Sequence, residues 1–319
     1  MIRVHITFDV EVWCNSWHDL DSRFPAAFER YCFGRSRHGA YALPKTLEIL
    51  RQHELVGVFF VEPLFAARFG LEPLRTITNL IVEAGQDLQL HLHPEWTDEI
   101  DPPPIADASR KRQHLTYYTE DEQTRLIGFG RRLLQEASGM SISAFRAGSF
   151  ASNRDTYRAL RRNGILIDSS LNAMADFSKG SLAPISPPYA YREVEGVSVY
   201  PVTVFRDGLG RKRPAQVGSA SLSELQSVLT AAARVHRPNV VLVSHNFEML
   251  KPGSVEPDWT VVRRFEGLCA WLAERRDQYE VGPLPAGRSD DDASSRYPLH
   301  APALATLRRH VEQLRRRLV

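Results

Sequence analysis

Short apolar runs alternate with amphipathic segments along most of the chain. The apolar runs that predict strands lie at 2–11, 56–61, 87–93, 142–146, 165–168, 239–244 and 279–281. The segments with apolar residues three and four apart, which predict helices, lie at 43–55, 71–84, 119–137, 153–163, 221–235 and 257–275. Because strands that alternate with helices are typical of parallel pairing, the pattern predicts an α/β fold built on a parallel sheet or barrel.

Two stretches interrupt this alternation. Residues 12–41 are rich in aromatic and charged residues without a clear period, and we expect them to form an irregular loop that contacts a substrate. Residues 171–220 contain clusters of proline and glycine, with a short strand pair predicted at 191–194 and 197–202. This second stretch is predicted to cover one rim of the sheet or barrel.

The end of the chain predicts a separate helix. Its apolar residues recur at spacings of three and four among arginines, and they are Leu304, Leu307, Val311, Leu314 and Leu318. We therefore divide the chain into a domain over 1–283, a polar linker over 284–302 and a basic amphipathic helix over 303–319. Because about two heptads are too short for a stable isolated coiled coil, the leucines are expected to be buried elsewhere. They would pack on the chain's own domain, on a second subunit in a homodimer, or on an anionic membrane surface.

The composition changes this picture little. A chain of 319 residues, 43% hydrophobic and 24% charged, is ordinary for a globular protein, and its net charge of +2 gives no reason to expect nucleic-acid binding. No basic segment followed by an apolar stretch precedes the first strand, so a cytoplasmic location is expected. The three cysteines have wide, irregular spacings and are expected to be reduced.

Ionisable residues follow the apolar part of five predicted strands. They are Asp9 and Glu11, His91 and His93, Arg146, Asp168, and His245. Acidic residues are poor strand formers, so a pair of them at the end of an apolar run indicates a role outside the strand. The carboxyl ends of parallel strands are also where active sites of α/β enzymes assemble. The placement of these residues therefore favours an enzyme.

The paired residues predict a metal site. His91 and His93 are two residues apart in an extended run, so both imidazoles point to the same side of the strand and can bind one metal ion. Asp9 and Glu11 have the same spacing and add two carboxylates. Two imidazoles and one carboxylate with an open position form the ligand set of a hydrolytic zinc site. The second carboxylate is then free to act as a general base.

The other three residues each have a functional and a structural interpretation. Arg146 can hold a carboxylate ionised and oriented, or it can be an ordinary surface arginine. Asp168 can take part in catalysis, or it can cap the turn that continues through two serines. His245 can donate a proton to a leaving group, or it can be a core histidine with satisfied hydrogen bonds.

Five segments of the chain together, in this order, resemble the five motifs of the polysaccharide deacetylases, the fourth carbohydrate esterase family. The segments are Thr7–Glu11, Gly85–Pro94, Phe145–Gly148, Ile167–Ser170 and Val243–Asn246. The resemblance, which also takes in the helix from Pro44 and the strand after it, covers residues 2–281. The His-Pro-Glu-Trp and Phe-Arg-Ala-Gly-Ser segments are similar to the branch that acts in bacterial surface-polysaccharide, lipopolysaccharide or O-antigen biosynthesis.

The resemblance implies a metal shell and a base. Asp9 matches the family's catalytic base, and Glu11 is assigned as the carboxylate ligand because a valine stands where the family has a second, metal-binding Asp. The family's metal histidines are four residues apart, and at that spacing from His91 this chain has Glu95. We assign His91 and His93 as the ligands and keep Glu95 as a possible ligand.

The resemblance also implies the roles of the remaining strand-end residues. Arg146 matches the arginine that orients the base, Asp168 lies in the fourth motif, and His245 matches the histidine that protonates the leaving group. The implied fold is α/β, a distorted and incomplete (β/α) barrel of about seven parallel strands. The implied reaction is the hydrolysis of an N-acetyl or other N-acyl group on an amino sugar, with a divalent metal, zinc before others, as cofactor.

Two other functions are compatible with the same residues. The His-x-His pair is shared with amidohydrolase-like enzymes, which would act on a small amide or a formyl sugar. The missing second Asp of the first motif is compatible with a catalytically inactive, sugar-binding relative. Metal content together with the release of acetate or formate would distinguish the three.

Overall fold

The computed structural model describes residues 1–174, 189–287 and 297–318, and it divides the chain into two compact units. The first unit contains Met1–Gly57, Val202–Pro283 and Asp292–Val319. The second unit contains Val58–Pro201 and Leu284–Asp291. The chain therefore leaves the first unit after its opening segment and returns to it for the last third.

The strands and helices follow one another along the chain as the apolar pattern predicts. The strands are β1 (Ile2–Val10), β2 (Arg35–Ser36), β3 (Gly39–Ala40), β4 (Val58–Val61), β5 (Asp87–Leu92), β6 (Ala144–Ala147), β7 (Ile167–Asp168), β8 (Arg192–Val194), β9 (Val197–Val199), β10 (Val204–Arg206), β11 (Lys212–Pro214), β12 (Asn239–His245), β13 (Tyr279–Val281) and β14 (Leu299–His300). The α-helices are α1 (Leu20–Phe28), α2 (Leu43–Gln52), α3 (Ala66–Phe69), α4 (Leu71–Glu83), α5 (Glu120–Ser138), α6 (Arg154–Arg162), α7 (Leu222–Arg234), α8 (Trp259–Ala273) and α9 (Ala303–Leu318).

The first unit is built around β1. This strand pairs in parallel with β12 along seven residues, from Arg3 opposite Asn239 to Asp9 opposite His245, and with β13 on its other edge. Apart from Arg3, every residue of β1 is buried, and parallel strands buried on both faces have such continuous apolar runs. Asp9 is the last residue but one of β1 and His245 is the last residue of β12, so the carboxyl ends of the two strands bring ionisable groups to one edge of the sheet.

The segment after β1 is not the irregular loop that the sequence predicted. Within residues 12–41 the chain forms α1, a π-helix over Glu29–Phe33 and the hairpin of β2 and β3. Aromatic residues made the helical period hard to recognise in the sequence, and two of them, Phe24 and Tyr31, are buried. The prediction was wrong because only three residues of α1 face the interior, too few to give a clear apolar stripe.

The second unit contains a longer sheet in the order β4, β5, β6, β7, β9, β8. All of these pairings are parallel except the last, where β8 and β9 form the antiparallel pair predicted from the sequence. The helices α4, α5 and α6 connect the parallel strands. Residues 175–188, within the proline-rich stretch predicted to cover one rim, lie outside the described residues.

Local sequence signals fix the helix boundaries. Thr119 caps α5 by accepting a hydrogen bond from Glu122 N, and the Glu122 side chain accepts one from Thr119 N, so the two residues form a capping box. Gly139 ends that helix with a φ of 69°. Among the described residues, no helix is long and apolar enough to span a bilayer.

The C-terminal helix forms as predicted, but the apolar residues of its stripe whose side chains the structure describes are not buried. On α9 the buried residues are Ala305, Thr306 and Arg309, whereas Leu304, Leu307, Val311 and Leu314 are 41–61% exposed. Arg309 is held by Asp207 and Glu224, and no apolar pattern predicts a buried arginine with two carboxylates. Part of the predicted linker, Leu299–His300, pairs with β10 in a second sheet that also contains β11, and its Asp run lies outside the described residues.

Candidate functional site

The carboxyl end of β1 brings Asp9 and Glu11 together with His245 in the first unit. Asp9 lies opposite His245 in the parallel register, and the negative charges of Asp9 and Glu11 both act on the His245 ring. The two carboxylates are nearly inaccessible to solvent, at 3% and 7% exposure. A carboxylate can be buried to this extent only if it is paired, hydrogen-bonded or bound to a metal.

Asn246 fixes the backbone at this end of β1. Its side-chain Oδ1 accepts a hydrogen bond from Glu11 N at 3.1 Å, and its Nδ2 donates to Glu11 O at 3.1 Å and to Tyr31 O at 2.6 Å. Asn246 itself is 1% exposed. The sequence places it directly after His245 but gives no sign that it would hold Glu11 in position.

Glu11 is held from its side chain as well. The indole Nε1 of Trp13 donates to Glu11 Oε2 at 2.5 Å, and the ring of Trp13 packs edge to face against Trp17 at 6.3 Å. A hydrogen bond from a neutral indole orients the carboxylate without neutralising its charge.

His245 is paired with Glu248, a residue that the sequence analysis did not single out. Its Nδ1 donates to Glu248 Oε1 at 2.9 Å. Burial lowers the pKa of His245, but the hydrogen bond and the charge of Glu248, with smaller contributions from Glu11 and Asp9, outweigh burial and raise the pKa to about 9. His245 is therefore an imidazolium at neutral pH, with its Nε2 proton available for transfer.

Glu248 is itself held by three donors besides His245. Its carboxylate accepts hydrogen bonds from Ser244 Oγ, Gly218 N and Gln216 Nε2 at 3.0, 2.6 and 2.5 Å. A Cβ on Gly218 would lie 2.5 Å from Glu248 Oε2, so only glycine permits this contact. The sequence signal that could have revealed Glu248 is its position three residues after His245, which a turn brings to the same side.

In the second unit, His91 lies near the carboxyl end of β5 and His93 directly follows the strand. The two rings lie 4.9 Å apart and nearly perpendicular, and both side chains are buried. His91 Nδ1 donates to the Arg146 carbonyl at 2.8 Å. His93 Nδ1 lies 3.2 Å from Glu95 Oε2. Metal-binding histidines are held in this way, because a bond at one ring nitrogen fixes the tautomer and directs the other toward the metal.

Gly148, directly after β6, leaves space for the ring of His93. A Cβ on Gly148 would lie 2.7 Å from both Cε1 and Nδ1 of the His93 ring, closer than side chains pack. Glu95 contacts the Nδ1 atom of His93, and a carboxylate in this position commonly orients a metal-binding histidine. The contact with His93 is observed, and a place for Glu95 in a metal shell stays a prediction.

Arg146 is completely buried, so its interpretation as an ordinary surface arginine is excluded. Its Nε donates to Ser169 O at 3.1 Å, one terminal nitrogen donates to Ser169 Oγ at 2.9 Å, and its guanidinium lies 4.4 Å from the Phe60 ring centroid. The guanidinium charge acts on the neighbouring carboxylate of Asp168, where it lowers the pKa against the effect of burial.

Asp168 lies beside Arg146 and makes the turn that the sequence offered as its structural interpretation. Its Oδ1 accepts from Ser170 N at 2.9 Å and its Oδ2 from Ser170 Oγ at 2.5 Å. Burial raises the pKa of Asp168 to about 6, although Ser170 and Arg146 act in the opposite direction. The hydrogen-bonding role is observed, and a catalytic role of Asp168 stays a prediction.

Glu62, directly after β4, is a further strand-end acid that the sequence analysis did not single out. It is 1% exposed, and its Oε1 accepts a hydrogen bond from Leu64 N at 2.8 Å. Burial raises the pKa of Glu62 to about 8, which the nearby His93 counteracts only in part. Its position at the end of an apolar Val-Phe-Phe-Val run is the same signal that revealed Asp9.

Each unit therefore brings its own share of the predicted residues together. The first holds Asp9, Glu11 and His245, and the second holds the two histidines of β5 with Arg146 and Asp168. Buried Glu11, His91 and His93 offer one carboxylate and two imidazoles, a donor set that fits a divalent transition metal.

Comparisons with known proteins reveal similarity at the level of structure alone. No family model and no curated protein matches the sequence. A putative polysaccharide deacetylase from Mycobacterium smegmatis is 18% identical, with a TM-score of 0.51 over 90% of this chain and 95% of that one. A family 4 carbohydrate esterase from Streptomyces lividans in complex with acetate is 14% identical, with a TM-score of 0.44 over 94% and 97% of the two chains. A CE4 family pseudoenzyme from Bacillus anthracis is 14% identical, with a TM-score of 0.44 over 93% and 69%.

The likeness to the Mycobacterium smegmatis protein concerns the fold. It confirms the predicted α/β class with mostly parallel strands, of the distorted (β/α) barrel type found in polysaccharide deacetylases. At this identity it does not identify a branch of that family, and the activity of this chain has to be argued from its own residues.

Proposed function

We propose that the protein is a metal-dependent deacetylase that hydrolyses an N-acetyl or other N-acyl group on an amino sugar. The observation that carries the proposal is the pair of buried histidines at the end of β5, each held through Nδ1 by an acceptor. Histidines whose Nδ1 atom is held by a carbonyl or carboxylate oxygen are typical of a metal centre, because the bond fixes the orientation of the ring.

In this proposal Glu11, His91 and His93 hold the metal, for which zinc is the best match to the donor set. When bound, such a metal polarises the acyl carbonyl and makes a water molecule more acidic. Glu11 is suited to the role because Asn246 fixes its backbone and Trp13 its side chain.

Asp9 is the general base of the proposed reaction. It is the second buried carboxylate at the end of β1 and would remove the proton of the attacking water. Arg146, which is completely buried, is proposed to orient Asp9, as the corresponding arginine does in the family that the sequence resembles.

His245 is the general acid. Its Nδ1 proton is committed to Glu248, so the proton at Nε2 is the one that would pass to the departing amine. A raised pKa keeps His245 charged at neutral pH, which a general acid requires before the C–N bond breaks. The Glu248 pair thus supports the assignment of His245 as donor rather than as an inert core histidine.

The proposed substrate is an amino sugar in a bacterial surface polysaccharide or O-antigen precursor, handled in the cytoplasm. The substrate class is supported by the indoles of Trp13 and Trp17, which form an edge-to-face pair beside Glu11 and offer apolar faces to a sugar ring. The narrower proposal of surface-polysaccharide or O-antigen biosynthesis rests on the similarity of the His-Pro-Glu-Trp and Phe-Arg-Ala-Gly-Ser segments to that branch of the family.

The test combines metal analysis with product detection. Purified protein loaded with zinc should release acetate from N-acetylated amino sugars, and Asp9→Asn should retain the metal but lose turnover. His300→Ala, which changes an exposed histidine on β14, is the matched control and should retain both. Release of formate instead of acetate would favour the amidohydrolase-like alternative, and sugar binding without release of either would indicate an inactive relative.

A further inference from the structure

The helix α9 is fixed to the first unit by one face. Arg309 is 3% exposed and donates to Asp207 Oδ2 at 2.9 Å and to Glu224 Oε1 at 3.1 Å. Further along the helix, Glu312 accepts from Arg264 at 2.6 Å and Arg316 donates to Asp258 at 2.8 Å. The four ion pairs made by these three residues define which side of the helix faces outward.

The side of α9 opposite these ion pairs is apolar and exposed. Leu304, Leu307, Val311 and Leu314 are 61%, 59%, 41% and 60% exposed, and they recur at the spacing of one helical face. Together with Arg308 and Arg315, which are exposed on the same side, we call these residues the outer face. A solvated helix surface of this kind is normally polar, so this stripe of large apolar residues indicates a partner.

The apolar surface continues beyond the helix. Gly208 packs directly against Ala303, since a Cβ there would lie 2.2 Å from the Ala303 Cα, and the next residue, Leu209, is 62% exposed. Arg211, in the turn between β10 and β11, and Lys212, the first residue of β11, are also exposed. The outer face therefore extends at its N-terminal end into an exposed leucine with two further cations.

The charges favour one occupant. A second copy of the chain meeting this surface face to face would bring Arg308 and Arg315 against the same arginines. Within Ala303–Leu318 the acidic residue is Glu312, which is already paired with Arg264. An apolar stripe flanked by Arg308 and Arg315 matches the interface of an anionic bilayer, which takes up leucine side chains and attracts arginine.

We propose that the outer face of α9 docks the protein on an anionic membrane surface, with the helix lying in the plane of the headgroups. The leucines enter the acyl boundary, and Arg308 and Arg315 contact lipid phosphates. The ion pairs of the inner side keep the helix folded and oriented before docking, so little ordering is needed on binding. This proposal is independent of the proposed catalytic activity.

The experiment is co-sedimentation of the full-length protein with vesicles. Vesicles that contain phosphatidylglycerol should bind the protein at low salt, and vesicles of phosphatidylcholine alone should bind it weakly. Arg308→Ala with Arg315→Ala should lower the partition coefficient about 30-fold, since each arginine near such a surface is worth about fivefold. Leu307→Gln with Leu314→Gln should abolish binding.

Matched variants in the second unit control for general effects of charge and hydrophobicity. Arg110→Ala with Arg154→Ala removes two arginines that are 72% and 74% exposed, and Leu166→Gln changes a leucine that is 50% exposed. These variants should bind vesicles like the wild type. Equal binding to both vesicle types, absence of binding, or a dimer in light scattering that Leu307→Gln with Leu314→Gln dissociates would each overturn the proposal.

Discussion

The pairing of His245 with Glu248 leads to a prediction that can be tested without a substrate. Replacing Glu248 by Gln removes the negative charge 2.9 Å from Nδ1 while keeping a side chain that can still accept from Gly218 N. The charge and hydrogen bond of Glu248 are the main contributions that raise the pKa of His245 from 6.5 to about 9. Without them, burial should bring the pKa back to 6.5 or below.

The magnitude follows from the two pKa values. At pH 8 the imidazolium fraction should fall from about 0.9 to about 0.03, a loss of roughly 30-fold in the protonated acid. A raised folded-state pKa stabilises the fold fully below pH 6.5, and this contribution is lost as the pH rises through about 9. At about 1.4 kcal/mol per pKa unit, the variant should lose about 3 kcal/mol of unfolding free energy at pH 6, and the loss should vanish above pH 9.

The assay is an NMR titration of the histidine Cε1–H resonances in EDTA-treated protein, with His245 assigned through His245→Gln. Glu256→Gln is the matched control, because it removes the carboxylate beside the exposed His38 and should leave the titration of His245 unchanged. A pKa of His245 that stays near 9 in Glu248→Gln would refute the reasoning, since Glu248 would then not be the group that keeps the acid charged.

Three further predictions concern residues around the two strand ends. Wild-type protein treated with EDTA should lose about 5 kcal/mol of unfolding free energy as the pH rises from 4.5 to 8. The reason is that buried Glu62 stays protonated in the folded state, whereas the same residue ionises in the unfolded chain. Urea titrations should show this loss in the wild type and not in Glu62→Gln. Gly148→Ala should displace the His93 ring and weaken zinc binding about 10–100-fold in a chelator competition, whereas Gly282→Ala, with open space at its Cβ, should not. Asn246→Ala should cost about 2–3 kcal/mol in urea unfolding, because it leaves the buried backbone of Glu11 without its partner, and an unchanged midpoint would contradict the role assigned to it.

The sequence predicts the framework and the strand-end residues well, for a physical reason. Buried parallel strands are continuous apolar runs, so an acid, histidine or arginine that interrupts one marks the edge where sites form. Thr119 and Glu122 predict a helix start because the capping bonds are local. These features depend on neighbours in the chain, which a single sequence contains.

The residues that orient the site could not be predicted in the same way. Glu248 and Asn246 act through contacts with Gly218 and Glu11, which are distant in the sequence, and an acid or an amide in a turn is ordinary in itself. The leucine stripe predicts that α9 is amphipathic, but it does not predict that the apolar side of the helix faces outward. The direction depends on the buried ion pairs of Arg309, which hold the polar side of the helix against the first unit. Such ion pairs leave no periodic pattern in the sequence.

The central claim is that a metal is held by residues at the ends of β1 and β5. The most direct test is the zinc content of dialysed wild-type protein, His91→Ala, His93→Ala and Glu11→Gln, measured by elemental analysis on folded samples. We expect stoichiometric zinc in the wild type, loss of zinc in both histidine variants and weakened binding in Glu11→Gln. Stoichiometric zinc in both histidine variants would contradict the account.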